Sequence, residues 1–158
     1  MDFSNILTIS FFGHRQVEDS LYLEEQVYTM VCDLIYTHEY VNFLAGQEGE
    51  FDQIVSSSIK KAKRQARNDN SALTLILPYE KSEYEKNREY FEAYYDEIEI
   101  CSEAAACFCK TAYSVRNRVM IDRSDLVIFY VDHCAGGAYC ALLYARQKGK
   151  AFTNLAKK

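Results

Sequence analysis

Residues 116–147 read RNRVMIDRSDLVIFYVDHCAGGAYCALLYARQ, and the order of patterns inside this stretch decides the fold. Leu126 to Val131 (LVIFYV) is a continuous apolar, β-branched and aromatic run bounded by acids, which reads as a buried strand rather than a helix. Ala104 to Ile121 before it predicts one long helix or two shorter ones. After it, Gly136-Gly137 leads into a short helix over Tyr139 to Gln147. Helix, strand, glycine turn, helix is the repeating unit of an α/β sheet.

The same unit recurs toward both ends. Ile6 to Phe12 (ILTISFF) is a strand stopped by Gly13, and Leu23, Val27, Met30, Val31, Leu34 and Ile35 give one apolar face to a helix over roughly 18–37. Tyr40 to Ala45 (YVNFLA) is a second strand, stopped by Gly46. Phe51, Ile54, Val55, Ile59, Ala62 and Ala66 share a helical face, and Ala72 to Leu77 (ALTLIL) is a third strand, ended by Pro78. Ser82 and Glu85 have the spacing of a capping box for a helix reaching about Tyr95. Glu97 to Ile100 is a weaker strand, and Ala151 to Leu155 a last edge strand. Such alternation builds a mainly parallel sheet with helices on both faces, joined by right-handed crossovers. The expectation is an α/β fold, a Rossmann-like three-layer sandwich, formed as one domain over residues 1–158.

Composition narrows the function classes. The 158 residues are 49% hydrophobic and 26% charged, typical of globular domains, so disordered, collagen-like and coiled-coil classes drop out. With 18 Lys+Arg against 23 Asp+Glu the net charge is −5, and a general phosphate-backbone binder wants a dominant positive field. Nucleic acid is therefore expected to be disfavoured as a partner. No apolar run approaches the roughly 18 residues that span a bilayer and MDFSN carries no basic leader, so no membrane role and a cytoplasmic location are expected. The six cysteines (Cys32, Cys101, Cys107, Cys109, Cys134, Cys140) read as reduced core thiols. Cys107 and Cys109 form CxC and His133 adjoins Cys134, but four-ligand zinc spacing is missing; no metal site and no cofactor are expected. The aromatic-rich helices Tyr22 to Tyr36 and Tyr84 to Tyr95 exceed what one core face needs, which points to a homo-oligomer, a dimer.

In an open parallel sheet, ligands bind beyond the carboxyl ends of the strands. The residues there are Gly13, His14 and Arg15, then Gly46, Gln47, Glu48 and Gly49, then Pro78 and Tyr79, and finally Asp132 through Gly136, Gly137 and Ala138. Five of the six glycines fall in these loops, as expected where backbone approaches a ligand or takes positive φ. Two loops run into helices whose N-termini favour anions, so a phosphate-bearing small molecule is the expected partner. Neither GxGxxG nor a P-loop is present, and tight turns alone would also use these glycines. Asp52 is either a favourable first-turn acid or an acceptor for ribose hydroxyls. Arg116 and Arg118 precede the fifth strand, where one guanidinium could turn to the crevice.

The succession FFGHR, AGQEGEFDQ, LPY and RNRVMIDRSDLVIFYVD running into AGGAYCALLYA resembles the SLOG superfamily of Rossmann-like proteins, nearest its small YpsA-like bacterial branch. More distantly, residues 116–145 are similar to LOG-type phosphoribohydrolases and to the nucleic-acid-binding core of DprA. The resemblance implies a nucleotide or nucleotide-derived ligand, with the Gly136-Gly137 loop holding phosphate. LOG-type hydrolases pair an arginine on the preceding helix with a glutamate after the glycine loop. Arg116 or Arg118 supplies the first, but Ala138, Tyr139, Cys140 and Ala141 supply no acid. The leading expectation is thus a non-catalytic module for a nucleotide or ADP-ribose-like ligand. The alternative is a nucleoside or nucleotide N-glycosidase using Arg116 or Arg118 with Glu48 or Asp52. A third is single-strand nucleic-acid binding through the five basic residues of 60–67, opposed by the eight acids against three bases of 80–99.

Overall fold

The computed structural model describes residues 6–156. Six strands form one sheet in the order β4-β3-β2-β1-β5-β6, where β1 is Ile6–Gly13, β2 Tyr40–Ala45, β3 Ser71–Leu77, β4 Glu97–Ile100, β5 Leu126–Tyr130 and β6 Ala151–Asn154. Every pairing is parallel. Between them run α1 (Ser20–Thr37), α2 (Glu50–Gln65), α3 (Ser82–Lys86), α4 (Arg88–Tyr94), α5 (Ser102–Ala105), α6 (Cys109–Arg123) and α7 (Gly137–Gln147). The chain steps outward from β1 to β4, then returns to place β5 on the other side of β1. The order reverses between β1 and β5, the point where a crevice opens in sheets of this kind.

Both faces of the sheet are dry because successive strand residues point to opposite sides. Ile9, Phe11, Phe43, Leu73, Leu75, Leu77, Ile128 and Tyr130 pack with Val27, Val31, Ile54, Ile59 and Phe91 of α1, α2 and α4. Their neighbours Phe12, Leu44, Ile76, Val127 and Phe129 pack with Ala104, Ala112, Met120 and Leu142 of α5, α6 and α7. This is the expected three-layer sandwich. Register holds Ile9 beside Phe43, Ala45 beside Leu75 and Phe11 beside Ile128.

Three local expectations are corrected. The helix expected from Ser82 to Tyr95 breaks at Asn87, whose Nδ2 donates to Glu83 O at 2.9 Å, a side-chain bond that competes with helix continuation. Ser82 is the first helical residue after an extended Lys81, which makes no side-chain cap bond, so the capping box does not form. Tyr84 and Phe91 still stack across the break, centroids 5.6 Å apart, and with Tyr95 they belong to the core. Of the cysteines only Cys101 is buried, Cys32 is half-buried and the other four are exposed; the core-thiol expectation fails because those four lie in loops and on outer helix turns.

Gly13 is required by packing. A Cβ there would lie 2.3 Å from the Phe51 ring, and Phe51 is fully buried, so the ring has nowhere to move. Gly13→Ala is expected to cost about 1–3 kcal/mol in urea unfolding. A cost within the error of that measurement would show that β1 and α2 do not meet this closely.

Candidate functional site

The cleft at the carboxyl ends of β1, β2 and β5 has a volume of about 480 Å³. One wall is the N-terminus of α7. Its cap residue Gly136 takes φ 91°, a conformation glycine adopts without steric cost. The first turn carries neither an acid nor a side-chain cap, and a Cβ at Gly136 or Gly137 would meet nothing within 4 Å. The orphan N–H groups of this turn open on the cleft together with the positive end of the helix dipole. The N-terminus of α2 differs. Its first turn holds Glu50 and Asp52, and Glu50 N already donates to Arg15 O at 2.9 Å, so two acids and a backbone carbonyl occupy that end. Of the two helix starts expected to take an anion, α7 alone is open.

The facing wall is built on Arg116, 4% exposed. Its guanidinium donates to Ile76 O at 3.0 Å, to Asn117 Oδ1 at 2.9 Å, and to Glu48 Oε1. The other Glu48 oxygen accepts from Gln47 N. Gly46 admits this pair, since a Cβ there would stand 2.8 Å from Glu48 Oε1 and 3.1 Å from Arg116 Nη1. Asp52 is buried beside it. Desolvation and then the Glu48 charge push its carboxyl up to about 7, against the Glu48 N–H bond and Arg116. Arg116 and Glu48, chosen from the sequence as a possible catalytic couple, thus do meet, but each is committed to the other and to fixed backbone.

Between the two walls His14 and His133 stack, centroids 3.7 Å apart and 13° from parallel. Asp132 Oδ1 holds His133 Nδ1 at 2.6 Å and lies 3.5 Å from His14 Nε2, too far for a good hydrogen bond. That nitrogen is buried without a hydrogen-bond partner. Burial and the neighbouring His133 hold the His14 pKa below its ordinary value, against the opposite pull of Asp132.

Gly13, His14, Arg15, Gly46, Glu48, Asp52, Arg116, Gly136, Gly137 and Ala138 all line the cleft. Gln47 and Gly49 do not; they shape the loop, and a Cβ on Gly49 would lie 2.5 Å from Arg15 Cα. Pro78 is buried away from it, and Tyr79 reaches it only through an edge contact with Tyr113, centroids 6.2 Å apart. Arg118 is excluded: its guanidinium sits 5.5 Å over the Tyr144 ring. Tyr113 and Asn117 line the cleft without having been singled out, and His133 of the loop after β5 lines it too. Tyr113 was findable, since a residue three positions from Arg116 shares its side of α6.

The basic run of 60–67 does not make a free track. Lys60 Nζ donates to Tyr94 O at 2.8 Å, Lys63 pairs with Asp96 at 2.8 Å, Lys61 lies 4.5 Å over the Tyr28 ring, and Arg67 pairs with Asp69 at 2.7 Å. Among the described residues no helix is long and apolar enough to cross a membrane.

No protein-family model matches the chain, and no curated protein matches it. Among solved structures it is similar to DNA processing protein A from Helicobacter pylori, a protein described for its single-stranded DNA binding mode. The TM-score is 0.70 at 16% identity, over 99% of this chain and 68% of that one. The likeness is one of fold, and it matches the DprA side of the sequence resemblance. It also corrects the setting aside of nucleic acid as a partner, since a protein of this fold binds single-stranded DNA. The chain has the Rossmann-like fold it shares with DNA processing protein A.

Proposed function

We propose that this chain, read as a YpsA-like member of the SLOG superfamily, binds a nucleotide or nucleotide-derived ligand in the cleft between α7 and Arg116. The observation that carries this reading is the uncapped, acid-free N-terminus of α7 opening on a cleft whose other wall is polar and rigid. Phosphate is stabilised at the first turn of α7. Glu48 and Asp52 line the cleft on the side where a ribose would lie. The volume suits a ligand of mononucleotide size. Binding is favoured over N-glycosidic cleavage because the Glu48 carboxylate and the Arg116 guanidinium are bonded to each other.

A second reading, in which the bound unit is one nucleotide of single-stranded DNA, is favoured by the structural likeness to DNA processing protein A. The ties on Lys60, Lys61, Lys63 and Arg67 argue that such a strand would enter by the cleft and not along α2.

A thermal-shift screen against nucleoside monophosphates, ADP-ribose and an oligothymidylate separates these readings. A ligand at a hundredfold its dissociation constant adds about 2.7 kcal/mol to stability, and a strand response would also weaken steeply with salt. Release of free base during the screen would replace the binding module with the N-glycosidase. Gly137→Asp is expected to weaken the bound nucleotide by at least about tenfold, since like charges about 4 Å apart near a protein surface repel by about 4 kcal/mol and tenfold is about 1.4 kcal/mol. The melting temperature should hold or rise, because the new side chain meets nothing and an acid suits a helix start. Unchanged affinity in calorimetry would remove α7 from the site.

A further inference from the structure

We propose that His14 Nε2, Asp132 Oδ1 and His133 Nδ1 form a three-donor site for a first-row transition dication of the Zn²⁺ class. The three donor atoms lie within 4.8 Å of one another. His14 is 8% exposed and its Nε2 is buried without a hydrogen-bond partner, an arrangement that is costly unless something occupies the lone pair or takes the proton. His14 N continues the β1–β5 ladder by donating to Tyr130 O at 3.1 Å, which fixes the backbone that carries this ring.

Donors that each bind zinc at about 2.0–2.2 Å in a tetrahedron stand about 3.3–3.5 Å apart, and His14 Nε2 and Asp132 Oδ1 are already 3.5 Å apart. The 2.6 Å contact between His133 Nδ1 and Asp132 must open to reach that spacing. His133, its side chain 58% exposed, can tilt out of the stack to bring its lone pair onto the ion. Two imidazoles and one carboxylate select zinc, cobalt or nickel over magnesium and calcium, which prefer oxygen alone. Three protein donors leave a fourth position open, toward the cleft that His14 and His133 line with Gly136 and Gly137. The inference stands apart from the nucleotide reading, since it needs no other ligand.

The test titrates the purified chain with Co²⁺ and Zn²⁺, following cobalt absorbance and calorimetry, with Mg²⁺ as the control. One Co²⁺ per chain is expected, displaced by Zn²⁺ and unaffected by Mg²⁺. His133→Ala and Asp132→Asn should each lose at least about tenfold in affinity, as even outer-shell changes do, at unchanged melting temperature. His14→Gln should do the same. If that buried variant does not fold, the exposed His133→Ala decides alone. Absence of saturable binding, affinity unchanged in His133→Ala, or equal competition by Mg²⁺ overturns the proposal. So does a thiolate charge-transfer band that disappears in Cys134→Ser, which would assign the metal to the neighbouring exposed thiol.

Discussion

Arg116→Met is expected to lower the unfolding free energy at pH 7 by about 3–5 kcal/mol, the usual cost of breaking a buried ion pair from one side. Methionine keeps the length and apolar stem of the side chain, so little of the loss comes from a cavity. What remains is the Glu48 carboxylate beside the buried Asp52, together with Ile76 O deprived of its guanidinium donor. The same variant carrying Glu48→Gln should recover a substantial part of the loss, because neighbours in one network couple. A cost below about 1 kcal/mol in urea unfolding, or no coupling in the cycle, would show that the pair does not hold the β2–α2 loop.

The second large effect is a pH dependence carried by Asp52. Its carboxyl, ordinarily near 3.8, is raised to about 7 by burial and by Glu48. Between those values the folded chain holds a proton that the unfolded chain has released. Folding stability therefore falls as pH rises across that window, the reverse of the usual salt-bridged acid. At 1.36 kcal/mol per pKa unit the full effect is of order 4 kcal/mol. The charged groups facing Asp52 are Glu48 on its own loop and Arg116 from α6, with the Tyr95 hydroxyl, itself pushed up by burial and by neighbours that include both acids. Asp52→Asn stays neutral while still accepting from Glu48 N. Its stability relative to the unmodified protein should thus be near equal at pH 4 and several kcal/mol higher at pH 8. Parallel stability profiles in urea titrations from pH 4 to 8 would show that Asp52 is ionised throughout.

Much of the cleft was legible before any coordinates. Gly13, Gly46 and Gly136 were placed by one rule, that ligands gather beyond the carboxyl ends of parallel strands, and all three line it. Their reasons proved different. Gly13 and Gly46 make room for Phe51 and for the Glu48–Arg116 pair, while Gly136 alone supplies positive φ to a helix start. Sequence spacing cannot tell a glycine that accommodates a neighbour in the fold from one that accommodates a ligand. Arg118 misled because on α6 it stands as near the fifth strand in sequence as Arg116 does, but it points to another face. The break at Asn87 was missed because a side-chain bond to Glu83 O outweighed an otherwise continuous helical pattern.

The sequence by itself determined the elements, their alternation, the parallel sheet and the end of it that carries the cleft. These depend on local period and on chain handedness, which every residue in an element expresses together. Only the tertiary structure decided who meets whom at the strand ends. Glu48 reaches Arg116, and His14 reaches Asp132 and His133, because the sheet order reverses between β1 and β5 and sets distant loops side by side. The same packing took Asp52 out of water and left His14 Nε2 without a partner. Burial and charge proximity create those properties, and neither has a period along the chain.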